Sequence, residues 1–165
     1  GFQPALPRIP YELFKRILAF FRYYTEQEHP LEVMVQIYWD SLKKRFLVVV
    51  PYQHVSGVEI RVPEEQPGQL DEERFYYYAD IHSHNIMPAF FSEQDNRDEL
   101  ATRLYIVVGR LQRPSPEIRA RISNGGKFME IPLEDVVEVS PAEFPEYWTA
   151  SVAPSFTANR KGNAL

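Results

Sequence analysis

Three side chains that commonly bind metals occur close together in the middle of the chain. His82 and His84 are separated by one residue, and Asp95 follows after a turn-prone stretch that contains Asn85 and Pro88. On an extended strand both imidazoles point to the same side and can bind one ion. Two nitrogens and one carboxylate leave a coordination position open, as in catalytic zinc sites. The sequence has no cysteine to close such a site, and it therefore predicts zinc bound by His82, His84 and Asp95.

The segment from Ser92 to Asp95 has a second interpretation. A serine N-cap followed by an acid at the third helical position satisfies the free amides at the start of a helix and interacts favourably with the helix dipole. The two roles are compatible, because a helix that begins at Ser92 would hold Asp95 in its first turn, directed towards the histidines.

The string His82-Ser83-His84, then seven residues, Ser92, two residues and Asp95 resembles the signature of the JAMM (JAB/MPN-plus) zinc metalloprotease family in identity and spacing. The run Phe90-Phe91-Ser92 is similar to bacterial members, including the JAB-domain proteins of PRTRC-type cassettes. The resemblance implies an α/β fold of the JAMM/MPN (cytidine-deaminase-like) type, a curved mixed sheet flanked by helices, over residues 11–140. It also implies a zinc-dependent isopeptidase or peptidase.

A further catalytic glutamate upstream of the histidines is implied by the same resemblance. Glu32, at the start of the predicted first strand, is the candidate for this general base, which would accept a proton from the attacking water. Glu26, Glu28 and Glu59 are competing candidates, and a solvated surface acid is the plain alternative. Ser92 is the candidate that donates a hydrogen bond to the tetrahedral oxyanion.

The implied substrate is a ubiquitin-like β-grasp protein or its conjugate, cleaved after its C-terminal tail. Such a tail would bind as an added β-strand and be recognised mainly through its backbone. The resemblance to the proteins of PRTRC-type cassettes also implies a ubiquitin-activating-type adenylyltransferase as a further partner in the same system. The alternative function is a non-catalytic binding module for a ubiquitin-like partner, although family members of that kind typically lack metal ligands.

Several positions near the site differ from the usual family pattern or leave two roles open. Asn85 occurs where many members have proline, and Asp80 occurs where a small or aromatic residue is common. Asp80 shares a strand face with the histidines and is either a hydrogen-bond partner for one ring N–H or an ordinary surface acid. The apolar loop 86–91 is expected to pack internally or to form a surface for a substrate tail. The acidic loop 63–69 is expected to be solvated, with a place beside the substrate groove as the alternative.

Periodicity predicts the elements that position these residues. Apolar residues at spacings of three and four predict a helix from Tyr11 to about Glu28, ended by His29-Pro30. Alternation predicts a first strand over residues 31–40, and a metal strand with an aromatic lead from Phe75. Further predicted elements are strands over 45–50, 58–62 and 104–108, a short helix from Glu93, and a hairpin of strands 117–123 and 127–131 around Asn124-Gly125-Gly126.

Composition limits the remaining possibilities. A chain of 165 residues with 44% hydrophobic residues fits one globular domain, and a net charge of −5 argues against a nucleic-acid partner. The apolar run 17–21 is too short to cross a bilayer, so a cytoplasmic location is expected. Residues 1–10 are expected to form an extended lead, and residues 141–165 a C-terminal extension that is loose from about residue 149. Within that extension Phe144, Tyr147 and Trp148 are expected to anchor onto the domain.

Overall fold

A six-stranded mixed sheet forms the centre of the computed structural model, which describes residues 5–141 and 144–155. The helices and strands, in chain order, are α1 (Tyr11–Thr25), β1 (Met34–Asp40), β2 (Arg45–Val49), β3 (His54–Val55), β4 (Ile60–Arg61), β5 (Phe75–Ser83), α2 (Glu93–Asp98), β6 (Arg103–Gly109), β7 (Glu117–Asn124) and β8 (Lys127–Ile131). The strand order is β2-β1-β5-β6-β7-β8, and only the β5–β6 pair in this sheet is parallel. Strands β3 and β4 form a separate two-stranded sheet. These elements confirm the predicted mixed α/β fold.

Helix α1 packs on one face of the sheet. Its buried residues Phe14, Ile17 and Phe21 belong to the same core cluster as alternate residues of the central strands. The strand residues of this core include Val35, Ile37, Ala79, Ile81, Leu104, Ile106, Val108 and Ala120. Because side chains alternate along a strand, the residues between these core positions project from the opposite face. That opposite face carries the candidate site.

Strand β5 lies between β1 and β6 and provides the histidines. Ala79 and Ile81 are fully buried in the core, so His82 projects to the other face. The end of the strand is fixed by two hydrogen bonds between Ser83 and Val33. The Ser83 N–H donates to the Val33 carbonyl over 2.9 Å, and the Val33 N–H donates to the Ser83 hydroxyl over 3.0 Å.

The predicted hairpin is present and forms one edge of the sheet. Strands β7 and β8 pair up to Asn124 and Lys127, which leaves a two-residue turn of Gly125 and Gly126. Both glycines have positive φ, 61° and 82°, as the tight hairpin turn with two left-handed residues requires.

Two predicted boundaries near the N-terminus are wrong. Helix α1 ends at Thr25 rather than Glu28, because residues 26–28 are exposed and a further turn would bury no apolar surface. Strand β1 begins at Met34 rather than at residue 31. The N–H of Glu32 donates instead to the Ser56 carbonyl over 2.8 Å, so Glu32 pairs with the loop between β3 and β4.

The strand predicted over residues 58–62 is shorter than expected. Only Ile60–Arg61 is extended and paired, and its partner is the short strand His54–Val55, which the sequence did not predict. Two-residue strands contain too few positions for an alternating pattern to be recognised.

Near the two chain ends, one prediction is wrong and others concern residues that the structure describes only in part. The rings of Phe144, Tyr147 and Trp148 are exposed, so the prediction that they anchor onto the domain is wrong. Phe144 and Trp148 stack on each other instead, with ring centroids 6.3 Å apart. Residues 1–4 of the predicted lead and 156–165 of the predicted loose extension lie outside the described residues. Ile9, at the end of that lead, is fully buried and forms a strand bridge with Val137.

Among the helices in the described part of the chain, none is long and apolar enough to cross a membrane.

Candidate metal centre

The three predicted metal ligands lie together on the sheet face opposite α1. The Nε2 atoms of His82 and His84 are 3.2 Å apart. Asp95 places Oδ1 3.6 Å from the His82 Nε2 and Oδ2 4.0 Å from the His84 Nε2. Tetrahedral zinc with ligand bonds of about 2.0–2.2 Å holds its ligand atoms about 3.3–3.5 Å apart. The group therefore fits a divalent ion after small side-chain movements.

Both imidazoles are in the state that a metal requires. Burial lowers the pKa of His82 and of His84, and the nearby Asp95 carboxylate only partly opposes that change. Both rings are therefore neutral at neutral pH. The Nδ1 of His84 lies 3.3 Å from the Pro88 carbonyl. An N–H donated there leaves Nε2 unprotonated and facing the other two ligands, which is how metal-binding histidines are usually oriented.

Helix α2 carries the third candidate ligand, Asp95. Ser92 is its N-cap: the Ser92 hydroxyl accepts from the Asp95 N–H over 3.1 Å, and the Ser92 N–H donates to Asp95 Oδ2 over 2.6 Å. The cap thus uses Oδ2 of Asp95, while Oδ1 lies nearer to His82. Both interpretations of the segment hold together, since the capping box directs the carboxylate towards the histidines.

Glu32 is buried in the wall of the same cavity. Burial, assisted by the charge of Asp95, raises its pKa to about 7. A carboxyl group with this pKa can take and release a proton near neutral pH. Of the competing glutamates, Glu59 also lines the cavity but is exposed, whereas Glu26 and Glu28 are exposed residues after the end of α1.

A family model described as prokaryotic homologs of the JAB domain matches residues 14–123. The chain belongs to this family. The matched segment covers more than half of the 165 residues and runs from α1 to β7, so it includes the three metal-ligand candidates, Glu32 and Ser92. No curated protein is significantly similar to the chain in sequence.

The cavity of this JAB domain has a volume of about 690 Å³. Besides the metal-ligand candidates it is lined by residues 58–62 and by Met87 and Phe90 of the apolar loop. Ala89 of that loop is buried, while Met87 and Phe90 are partly exposed at the cavity. Part of the loop therefore packs internally, and part of it lines the cavity. Glu64 of the acidic loop lines a neighbouring cavity instead.

Asp80 does not pair with a histidine ring. It accepts a hydrogen bond from the Tyr77 hydroxyl and lies 3.7 Å from Nη1 of Arg103, so its surroundings match neither of the two roles that the sequence left open. Arg103 reaches Asp80 because β6 starts beside β5 in the only parallel pair of the sheet. Sequence spacing does not specify that pairing, and it gave no signal for Arg103.

Gly109 fixes the loop that orients His84. A Cβ at residue 109 would lie 2.3 Å from the Met87 carbonyl oxygen and 2.4 Å from the Ala89 nitrogen. The neighbouring N–H of Arg110 donates to the same Met87 carbonyl over 2.7 Å. Only glycine at residue 109 allows this close approach, which places the Pro88 carbonyl beside His84.

Gly109→Ala is expected to weaken metal binding, because the added methyl group must displace the loop backbone and with it the hydrogen-bond partner of His84. We expect zinc affinity to fall by about 10-fold or more and the free energy of unfolding to fall by about 1–3 kcal/mol. Competition with a chelator and thermal unfolding measure the two quantities. Ile37→Val, in the core away from the loop, is the control: it should lower stability and leave zinc affinity unchanged. Equal zinc affinity in Gly109→Ala and wild type would contradict the role of the loop.

Proposed function

We propose that this JAB domain is a cytoplasmic zinc-dependent isopeptidase or peptidase that cleaves after the C-terminal tail of a ubiquitin-like β-grasp protein. The observation that carries the proposal is the grouping of His82, His84 and Asp95, whose ligand atoms lie within 4.8 Å of one another, in one cavity with the buried Glu32. Family membership supports the same reaction class. Zinc fits the donor set, since two nitrogens and one carboxylate leave a position open.

The chemistry is divided between the ion and the chain. Zinc bound at this site would polarise the scissile carbonyl and lower the pKa of water. Glu32, buried in the wall of the same cavity, accepts a proton from the attacking water and delivers it to the leaving amine. The Ser92 hydroxyl, whose oxygen already accepts from the Asp95 N–H, still has its own proton to donate to the oxyanion.

The groove beside the site suits an extended tail. Strand β4 pairs with β3 along one of its two edges. Residues 58–62, which include β4, line the metal cavity. A peptide that adds to this short sheet would be held by backbone hydrogen bonds next to the histidines. Val58, Met87 and Phe90 offer it exposed apolar contacts.

We further propose that a ubiquitin-activating-type adenylyltransferase acts in the same system.

The proposal is tested with purified protein and β-grasp proteins that carry a C-terminal fusion or an isopeptide-linked reporter. We expect about one zinc per chain by elemental analysis, and product masses that correspond to cleavage after the β-grasp tail. Chelation should abolish cleavage, and added zinc should restore it. Bound zinc and firm β-grasp binding without cleavage would replace the enzyme by the binding-module alternative. Absence of both zinc and cleavage would overturn the proposal.

A further inference from the structure

Helix α2 carries Asp95 but has little to hold it in place. It has only six residues, from Glu93 to Asp98, and none of them is buried. A helix this short is not stable in water on its own, and it has no buried apolar residue to fix its position on the sheet. The position of the third metal ligand therefore depends on contacts that α2 makes through polar groups.

Arg121, on β7, makes such contacts with the second half of α2. Its Nη1 donates to the Asn96 Oδ1 over 2.7 Å, and its Nε and Nη2 donate to one carboxylate oxygen of Glu99 over 2.9 and 2.6 Å. Glu99 is the C-cap of α2, and its N–H donates to the Asp95 carbonyl over 2.8 Å. Both Arg121 and Glu99 are buried.

The same guanidinium also contacts the segment in front of α2. It lies between two aromatic rings, 3.9 Å from the centroid of Phe91 and 3.8 Å from that of Phe128. Phe91 directly precedes the N-cap Ser92, so one side chain holds the chain on both sides of Asp95. A planar, permanently charged guanidinium can stack on rings and donate several in-plane hydrogen bonds at once, and a lysine cannot do both.

We propose that Arg121 is a positioning residue of the metal centre, which holds α2 against the sheet so that Asp95 faces the histidines. The inference rests on the metal site of the proposed function. Arg121 is the cation that pairs with the buried Glu99 carboxylate, with Nη2 and Oε2 2.6 Å apart. Loss of the guanidinium thus leaves a buried carboxyl group without its partner, which favours movement of the C-cap out of its site.

Arg119 provides a matched control on the same strand. It lies two residues earlier on the same sheet face, and its Nε and Nη2 each donate to Glu130 over 2.6 Å. This ion pair joins β7 to β8 rather than to α2. Arg119 lies farther from Phe91, 6.0 Å from the ring centroid, and its hydrogen bonds go to Glu130. Arg121→Lys and Arg119→Lys therefore make the same chemical change with and without hydrogen bonds to α2 and its C-cap.

The test measures Co²⁺ binding and its visible spectrum, together with amide hydrogen exchange of residues 93–99 in the metal-free protein. We expect Arg121→Lys to weaken Co²⁺ binding by about 10- to 100-fold, to alter the spectrum and to speed exchange in α2. Arg119→Lys should match wild type in all three. Glu99→Gln, which keeps the size of the side chain and removes its charge, should shift the same three readouts in the direction of Arg121→Lys, and it covers the case in which Arg121→Lys fails to fold.

The outcomes separate the two proposals. If wild type binds Co²⁺ and both Arg121→Lys and Glu99→Gln behave like Arg119→Lys, the positioning role of Arg121 is overturned and the proposed function stands. If wild type binds no Co²⁺ or Zn²⁺, the metal site and the role of Arg121 are overturned together.

Discussion

His84→Ala is expected to purify almost free of zinc and without peptidase activity. The substitution removes one of three candidate ligands, and the two that remain, His82 and Asp95, would hold a zinc ion far more weakly. His82→Ala should behave in the same way, because its Nε2 lies 3.2 Å from that of His84 in the shared site. Elemental analysis and a chelator competition measure the loss.

Two controls replace a histidine and an aspartate that are not among the candidate ligands. His54→Ala removes an exposed histidine of β3, and Asp98→Ala removes an exposed acid of α2, and both variants should keep their zinc. Full zinc occupancy in His82→Ala or in His84→Ala would refute the site.

Substitutions of Asp95 and of Ser92 are expected to separate metal binding from helix capping. Asp95→Ala loses both a ligand and a cap partner, and should lose zinc. Ser92→Ala should lose about 1 kcal/mol of capping energy and keep its zinc. Normal zinc binding by Asp95→Ala would show that the carboxylate serves only as a cap.

The parts of the fold that the sequence predicts well are those with long or distinctive patterns. The apolar stripe of α1 and the alternation of β5 each extend over several periods, and Asn124-Gly125-Gly126 is a strong hairpin signal. The pairing of β3 with β4 could not be predicted, since two residues show no period. The true start of β1 depends on the Glu32–Ser56 hydrogen bond, which joins segments far apart in sequence.

The candidate site also has parts that local sequence patterns predict and parts that depend on long-range pairing. The spacing of the histidines and Asp95 predicts a shared metal site, because a strand and a helix cap are local structures that sequence specifies. Family resemblance predicts Glu32 as the general base, and the structure brings Glu32 into the same cavity as the metal-ligand candidates. Arg121 and Gly109 could not be predicted, because their roles come from which strand lies beside which loop or helix. Strand order is a property of the whole sheet, and sequence spacing does not encode it.

The state of Glu32 can be examined without substrate. Its pKa rises from the ordinary value of 4.5 to about 7 in the folded, metal-free chain. Between these pH values the unfolded chain has released this proton and the folded chain retains it, so Glu32 makes the free energy of unfolding fall as pH rises from about 4.5 to 7. Measurement of the free energy of unfolding against pH, for wild type and Glu32→Gln without added metal, checks this slope, which the glutamine variant should lack.

Glu32→Gln is expected to lower cleavage by at least about 100-fold, because the amide cannot accept a proton. Zinc content and β-grasp affinity should stay normal, since the ligands His82, His84 and Asp95 and the groove are unchanged. Single-turnover cleavage, elemental analysis and binding are measured on the same preparation. Glu59→Gln, an exposed acid of the same cavity, is the matched control and should cleave at the wild-type rate. If Glu32→Gln cleaves normally and Glu59→Gln does not, Glu59 is the base, and the burial of Glu32 has another purpose.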